Sequence, residues 1–258
     1  MKYYYSCQTD IGIKRPVNED AIMVKTARIK NHTIVLAAVC DGVGGLTKGD
    51  ITSRKALTMM SAWLDAELPQ LIGDSFDLRT IKYRLQNMVL EINSEVYLEN
   101  VRTNIKSGTT LSAILICDDT YVITHVGDSR IYKIDHDLSQ VTEDHSLVAE
   151  ELRAGYITSD EALKSKESNV ILRCIGSDAN IELYATSGVI REDTGFVLCS
   201  DGFWHHITNE ELYQSFKPKY DIDASHLGQA LYELTELAKT RGETDNISAI
   251  ALAFIYRK

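Results

Sequence analysis

Six short apolar runs, at 33–40, 109–117, 121–126, 130–134, 195–199 and 247–256, are rich in β-branched residues and bounded by Gly or Asp. Runs this short and this continuous read as buried strands. Three other stretches repeat at helical spacing: Leu57, Met60, Leu64 and Leu68; Leu78, Ile81, Leu85, Val89, Ile92 and Val96; and Leu227, Leu231, Leu234 and Leu237. Asp223 stands before the third as an N-cap. Two long helices thus follow one another, and a meander of strands follows them. That order does not suggest strand–helix–strand units; it predicts an α+β layered sandwich of antiparallel sheets with helices packed outside. Tyr3, Tyr4 and Tyr5 fall in a first strand.

The chain of 258 residues has three prolines and no Gly/Ser/Pro-rich stretch to serve as a linker, so one domain over residues 1–258 is expected. Its net charge of −10 argues against nucleic acid, whose binding needs a basic face. No apolar run approaches the roughly 20 residues that span a bilayer. The N-terminus reaches Gln8, Thr9 and Asp10 without a signal-peptide hydrophobic region. Cys7, Cys40, Cys117, Cys174 and Cys199 are odd in number and widely spaced, which fits reduced, buried thiols in a cytoplasmic protein better than disulfides or a zinc site. The stretch at about 143–177 has short amphipathic pieces at 147–152 and 159–163 but no strand, as a lid or recognition flap has.

Four strands each carry an aspartate at one end: Asp41, Asp128, Asp201 and Asp245. Gly42, Gly127 and Gly202 stand beside the first three. One Asp-Gly pair alone reads as a turn. Four carboxylates beside core strands are costly unless paired or metal-bound, and oxygen-only ligands favour Mg²⁺ or Mn²⁺ over Zn²⁺.

Seven motifs, in order, resemble those of the metal-dependent serine/threonine protein phosphatases of the PPM class, also called type 2C. They are Thr9-Asp10-Ile11-Gly12 with Arg15 and Asn18-Glu19-Asp20; Asp41-Gly42-Val43-Gly44-Gly45; Ser107-Gly108-Thr109-Thr110; Gly127-Asp128-Ser129-Arg130; Thr142-Glu143-Asp144-His145-Ser146; Ser200-Asp201-Gly202; and Thr244-Asp245-Asn246-Ile247-Ser248. The short layout is similar to the bacterial branch. The resemblance implies a four-layer α-β-β-α sandwich with two central antiparallel β-sheets flanked by helices. It implies Asp41 bridging two ions with the Gly42 carbonyl on the second, Asp201 and Asp245 completing the first, and Glu19 and Asp20 acting on the second. Asp128, with Asp201, matches positions holding a third ion in bacterial relatives. Arg15 would clamp the substrate phosphate, and Asn246 would support a ligand. Such a site activates a water for in-line attack on phosphorus, so no cysteine is a nucleophile.

Implied substrates are phosphoproteins made by a serine/threonine kinase, and the chain is expected to act as a monomer. The alternatives are a catalytically silent phosphoprotein-binding module of the same fold, or an enzyme for small phosphate esters or phosphoaspartate. Val43 departs from the eukaryotic pattern, where a histidine is thought to protonate the leaving group. His205 and His206 read as helix-surface residues. Residues 46–53 depart from the usual alanine-containing pattern, and Glu192 and Asp193 read as a solvated loop.

Overall fold

A computed structural model describes residues 2–43, 48–73, 76–162, 165, 167, 170–219 and 221–256. In chain order the elements are β1 (Lys2–Asp10), β2 (Ala21–Ile29), β3 (His32–Cys40), α1 (Gly49–Ala66), α2 (Leu68–Leu71) and α3 (Leu78–Thr103). A meander follows: β4 (Leu111–Cys117), β5 (Thr120–Val126), β6 (Arg130–Ile134) and β7 (Leu138–Gln140). Then come α4 (Leu147–Arg153), α5 (Ser159–Ala162), β8 (Tyr184–Val189), β9 (Thr194–Cys199), α6 (Asp201–Trp204), α7 (Asn209–Phe216), α8 (Ala224–Thr240) and β10 (Ile247–Ile255).

The strands form two five-stranded antiparallel sheets, ordered β1-β10-β9-β6-β7 and β2-β3-β4-β5-β8. Strand alternation assigns each central strand to two cores. From β3, Ile34, Leu36, Ala38 and Cys40 face the α1 and α3 layer, while Val35, Ala37 and Val39 face the opposite sheet. From β10, Ala249, Ala251, Ala253 and Ile255 face α8, while Ile250, Leu252 and Phe254 enter the space between sheets. Burial on both faces is why these strands read as continuous apolar runs. The outcome is the four-layer α-β-β-α sandwich.

The strands that sequence reading passes over, β2, β7 and β8, all lie at sheet edges. They are half-exposed, and polar residues interrupt them: Lys25, Thr26 and Arg28 in β2, and Thr186 and Ser187 in β8. Thr109 stands just outside β4 and bridges Gly42 and Ile175 instead. The first helical stripe is broken, for Leu68 opens α2, which has a proline in its first turn. Asp223 caps α8 as expected, accepting from the His226 N–H at 2.9 Å.

Two expectations are corrected. Cys7 is exposed on β1, while the other four cysteines are buried. Asp193 is not merely solvated: its Oδ1 accepts from the Tyr256 backbone N–H at 2.6 Å and closes the end of β10. Within 143–177 the described residues contain α4 and α5 and no strand. Leu163 of the second amphipathic piece, Gly44 and Gly45 of the central motif, and Leu46 and Thr47 after it lie outside the described residues. Among the described residues, no helix is long and apolar enough to cross a membrane.

Candidate metal centre

Antiparallel pairing brings the acid-bearing ends together. Asp41 follows β3, whose register with β4 carries the chain to Thr110, and Asp128 follows β5, paired to β4. Asp201 follows β9, whose Cys199 faces Ala249 of β10, just beyond Asp245.

The backbone at Asp41 is fixed on both sides. Its N–H donates to Thr110 Oγ1 at 2.9 Å, and its carbonyl accepts from Thr110 N and Thr109 Oγ1, both at 2.8 Å. The third motif therefore acts as a clip for the second. Gly42 is required by close approach, since an added Cβ would meet the Gly49 carbonyl carbon at 2.7 Å and Glu19 Cβ at 2.9 Å. At Gly202 a Cβ would lie 2.2 Å from the Asn246 carbonyl oxygen.

Asn246 ties the N-terminal loop to β10. Its Oδ1 accepts from Glu19 N at 2.8 Å, and its Nδ2 donates to Ile11 O at 2.9 Å and Val17 O at 3.1 Å. Asp20 is buried, with Oδ2 accepting from Ser200 Oγ at 2.9 Å. Ser200 and Ser248 exchange backbone and hydroxyl bonds, and Ser248 meets Thr9 at 2.9 Å. Sequence reading quotes both serines within motifs but gives them no role. It also misses Glu243, a buried carboxylate that accepts from Thr244 N and Asp245 N and shapes the approach to β10. A carboxylate two residues before a predicted ligand was the available signal.

Among the described residues, three buried carboxylate oxygens find no hydrogen-bond partner: Oδ1 of Asp20, Oδ1 of Asp128 and Oδ1 of Asp201. Burial, and then the neighbouring acids, hold Asp41, Asp128 and Asp201 above the usual carboxylate range. Burial raises Asp20 to about 7 against the lowering effect of Ser248 and Ser200. Glu19 is also raised, first by burial, although Arg15 pulls it down. Unpartnered, mutually repelling oxygens of one hard-ligand type fit divalent cations such as Mg²⁺ or Mn²⁺.

Not every predicted ligand turns inward. Asp245 Oδ2 accepts from Arg15 Nη2 at 2.5 Å, and its Oδ1 accepts from Asn246 N at 2.7 Å. Among the described residues, no three of these acids bring their oxygens within 4.8 Å of one another. Arg15 therefore sits on a carboxylate of the site. Beside the acids, Arg130 grips Asp144 through Nε at 3.1 Å and Nη2 at 2.8 Å and lies 3.3 Å over the Trp204 ring. The Trp204 indole N–H donates to Asp128 O at 3.1 Å. His205 is half-buried, 4.0 Å from Glu243, and His206 is more exposed. A cleft of about 820 Å³ beside the acids is lined by Val148, Leu152 and Arg153 of α4, and by Trp204, His205 and Glu243.

The model of the Protein phosphatase 2C family matches residues 14–235. The chain is 32% identical over 247 residues to the serine/threonine phosphatase Stp of Listeria innocua, covering 94% of this chain and 92% of that one. The crystal structure of the serine/threonine phosphatase Stp1 from Staphylococcus aureus superposes with a TM-score of 0.85 at 26% identity, covering 100% of this chain and 96% of that one. The catalytic domain of the serine/threonine protein phosphatase PstP in complex with two manganese ions gives a TM-score of 0.79 at 25% identity, with 98% and 99% covered.

Proposed function

Because the chain belongs to the protein phosphatase 2C family, we propose that its acid ring is the catalytic centre of a metal-dependent serine/threonine protein phosphatase. The observation that carries this reading is the set of buried, unpartnered oxygens on Asp20, Asp128 and Asp201 around Asp41. A silent binding module has no use for such costly groups.

In this reading Asp41, Asp201 and Asp245 would hold one Mg²⁺ or Mn²⁺ ion, Asp41, the Gly42 carbonyl, Glu19 and Asp20 would hold a second, and Asp128 with Asp201 would hold a third. When bound, such ions neutralise phosphoryl charge and lower the pKa of a water. Arg15 orients the phosphate, exchanging its present partner Asp245 for phosphoryl oxygens. Asn246 holds Glu19 in place, and Thr109 and Thr110 hold Asp41. Val43 has no proton to give, so the leaving alkoxide takes its proton from water or from a group other than residue 43. Burial raises the thiols of Cys40, Cys117, Cys174 and Cys199 above the ordinary cysteine range, against a nucleophilic role for these four.

Substrates are phosphoproteins. We infer further that they are products of a serine/threonine kinase, that residues 1–258 form one catalytic domain with a flap at about 143–177, and that the chain acts in the cytoplasm as a monomer. Hydrolysis of an aryl phosphate and of phosphopeptides should require Mn²⁺ or Mg²⁺, stop with chelator and collapse in Asp201→Asn. Turnover that survives chelation would overturn the reading.

A further inference from the structure

At the other end of β3, another group of side chains converges. We propose that His32, Cys117 and Asp118 form a separate site for a borderline-soft divalent cation such as Zn²⁺. An imidazole nitrogen, the Cys117 Sγ and one Asp118 oxygen all lie within 4.8 Å of one another, and no other such trio occurs among the described residues. His32 opens β3 and Cys40 closes it, so this site lies roughly 26 Å along the strand from the acid ring, at about 3.3 Å per residue.

The sheet register builds the trio. Ile34 pairs with Cys117, so His32, two residues earlier, projects from the same face as a diagonal neighbour. Asp118 leaves β4 with φ of 52°, a left-handed turn that brings its side chain back over β3. Its N–H donates to Thr33 O at 2.9 Å, and its Oδ1 accepts from Thr33 N at 2.9 Å. One carboxylate oxygen is thus held by backbone while Oδ2 faces His32 Nδ1 at 2.5 Å, as a supported ligand is. Phe76 packs edge-on against the His32 ring at 5.3 Å and sets its plane.

The His–Asp pair ties the start of β3 to the end of β4, and Cys117, packed in the core under the helices, adds its Sγ beside them. On binding, the Cys117 S–H bond breaks, the proton passes to water and a sulfur–metal bond forms, with the neighbouring carboxylates of Asp118 and Asp119 favourable to the cation. Thiolate with imidazole and carboxylate selects Zn²⁺, Co²⁺ or Cd²⁺ over the hard ions suited to the acid ring. The Asp118 side chain is 41% exposed, so solvent can deliver the ion and fill a fourth position.

The test is Co²⁺ titration of the chelator-stripped full chain in excess Mg²⁺. A thiolate-to-cobalt charge-transfer band should appear, saturate at one ion per chain and be bleached by Zn²⁺. It should vanish in Cys117→Ser, weaken at least tenfold in Asp118→Asn and persist in Asp201→Asn. Cys117→Ser should retain wild-type Mn²⁺-dependent turnover. If that variant does not fold, His32→Gln serves in its place, with at least tenfold weaker binding expected. Absence of the band, or a band of unchanged strength in whichever of these variants folds, would overturn the proposal.

Discussion

Asn246 offers the sharpest test of how the site is held. Its buried amide engages three backbone groups: Glu19 N at 2.8 Å, Ile11 O at 2.9 Å and Val17 O at 3.1 Å. In Asn246→Ala the carbonyls of Ile11 and Val17, both on exposed residues, can turn to water, at about 0.5 kcal/mol each. The Glu19 N–H is half-buried and loses its acceptor, for about 1 kcal/mol more. The sum is about 2 kcal/mol, or roughly 30-fold in the folding equilibrium. Urea unfolding in chelator measures it. If Asn246 positions Glu19, Mn²⁺ dependence of turnover should also shift by about 10- to 100-fold, as for lost outer-shell partners of metal ligands. Turnover at saturating Mn²⁺ should return to within a few-fold of wild type. A stability loss with unchanged Mn²⁺ dependence would refute the positioning role, and a loss under about 0.5 kcal/mol would refute the bookkeeping.

The Asp20 carboxyl, raised to about 7 by burial, keeps its proton in the folded chain across a window where the unfolded chain has lost it. Its contribution to stability is therefore present below about pH 4 and lost as pH climbs to 7, amounting to at most about 4 kcal/mol. The difference in urea midpoint between wild type and Asp20→Asn in chelator should follow that slope and flatten with Mg²⁺; a rising slope would count against it. Arg130→Lys cannot reproduce the two-atom grip on Asp144 or the stack on Trp204, and should cost about 2–3 kcal/mol by the same assay. Arg15→Ala should raise KM for phosphopeptides at least tenfold while leaving Mn²⁺ affinity no weaker, because Asp245 is released; a weaker Mn²⁺ affinity would make Arg15 a structural partner instead.

What the sequence reveals here tracks burial. Strands such as β3, β9 and β10, covered on both faces, announce themselves as unbroken apolar runs. The edge strand β2 mixes Lys25, Thr26 and Arg28 into its apolar pattern and escapes notice. Acids at strand ends were legible because a carboxylate after a core run violates local expectation. The hydroxyl bridge from Thr9 through Ser248 and Ser200 to Asp20 was not, because serine and threonine are at home almost anywhere and their partners lie up to 239 residues apart. Nor could spacing foretell that Arg15 rests on Asp245, a contact spanning 230 residues.

A buried carboxylate by itself does not mark a ligand, and the way its two oxygens are used separates the cases. Asp144 is buried near the same cleft, yet Oδ1 accepts from Arg130 and Gln140 and Oδ2 from Arg130, so it is satisfied within the protein. Asp20 is satisfied on one side only: Ser200 holds Oδ2, and Oδ1 has no hydrogen-bond partner among the described residues. Asp128 and Asp201 likewise each leave one oxygen unpartnered. An unmade hydrogen bond at a buried carboxyl costs about 1–3 kcal/mol, so three of them at one end of the sandwich are a substantial local penalty. A fold pays it only where something outside the chain completes the set, and the three well-packed cores above and below supply the stability that lets it stand.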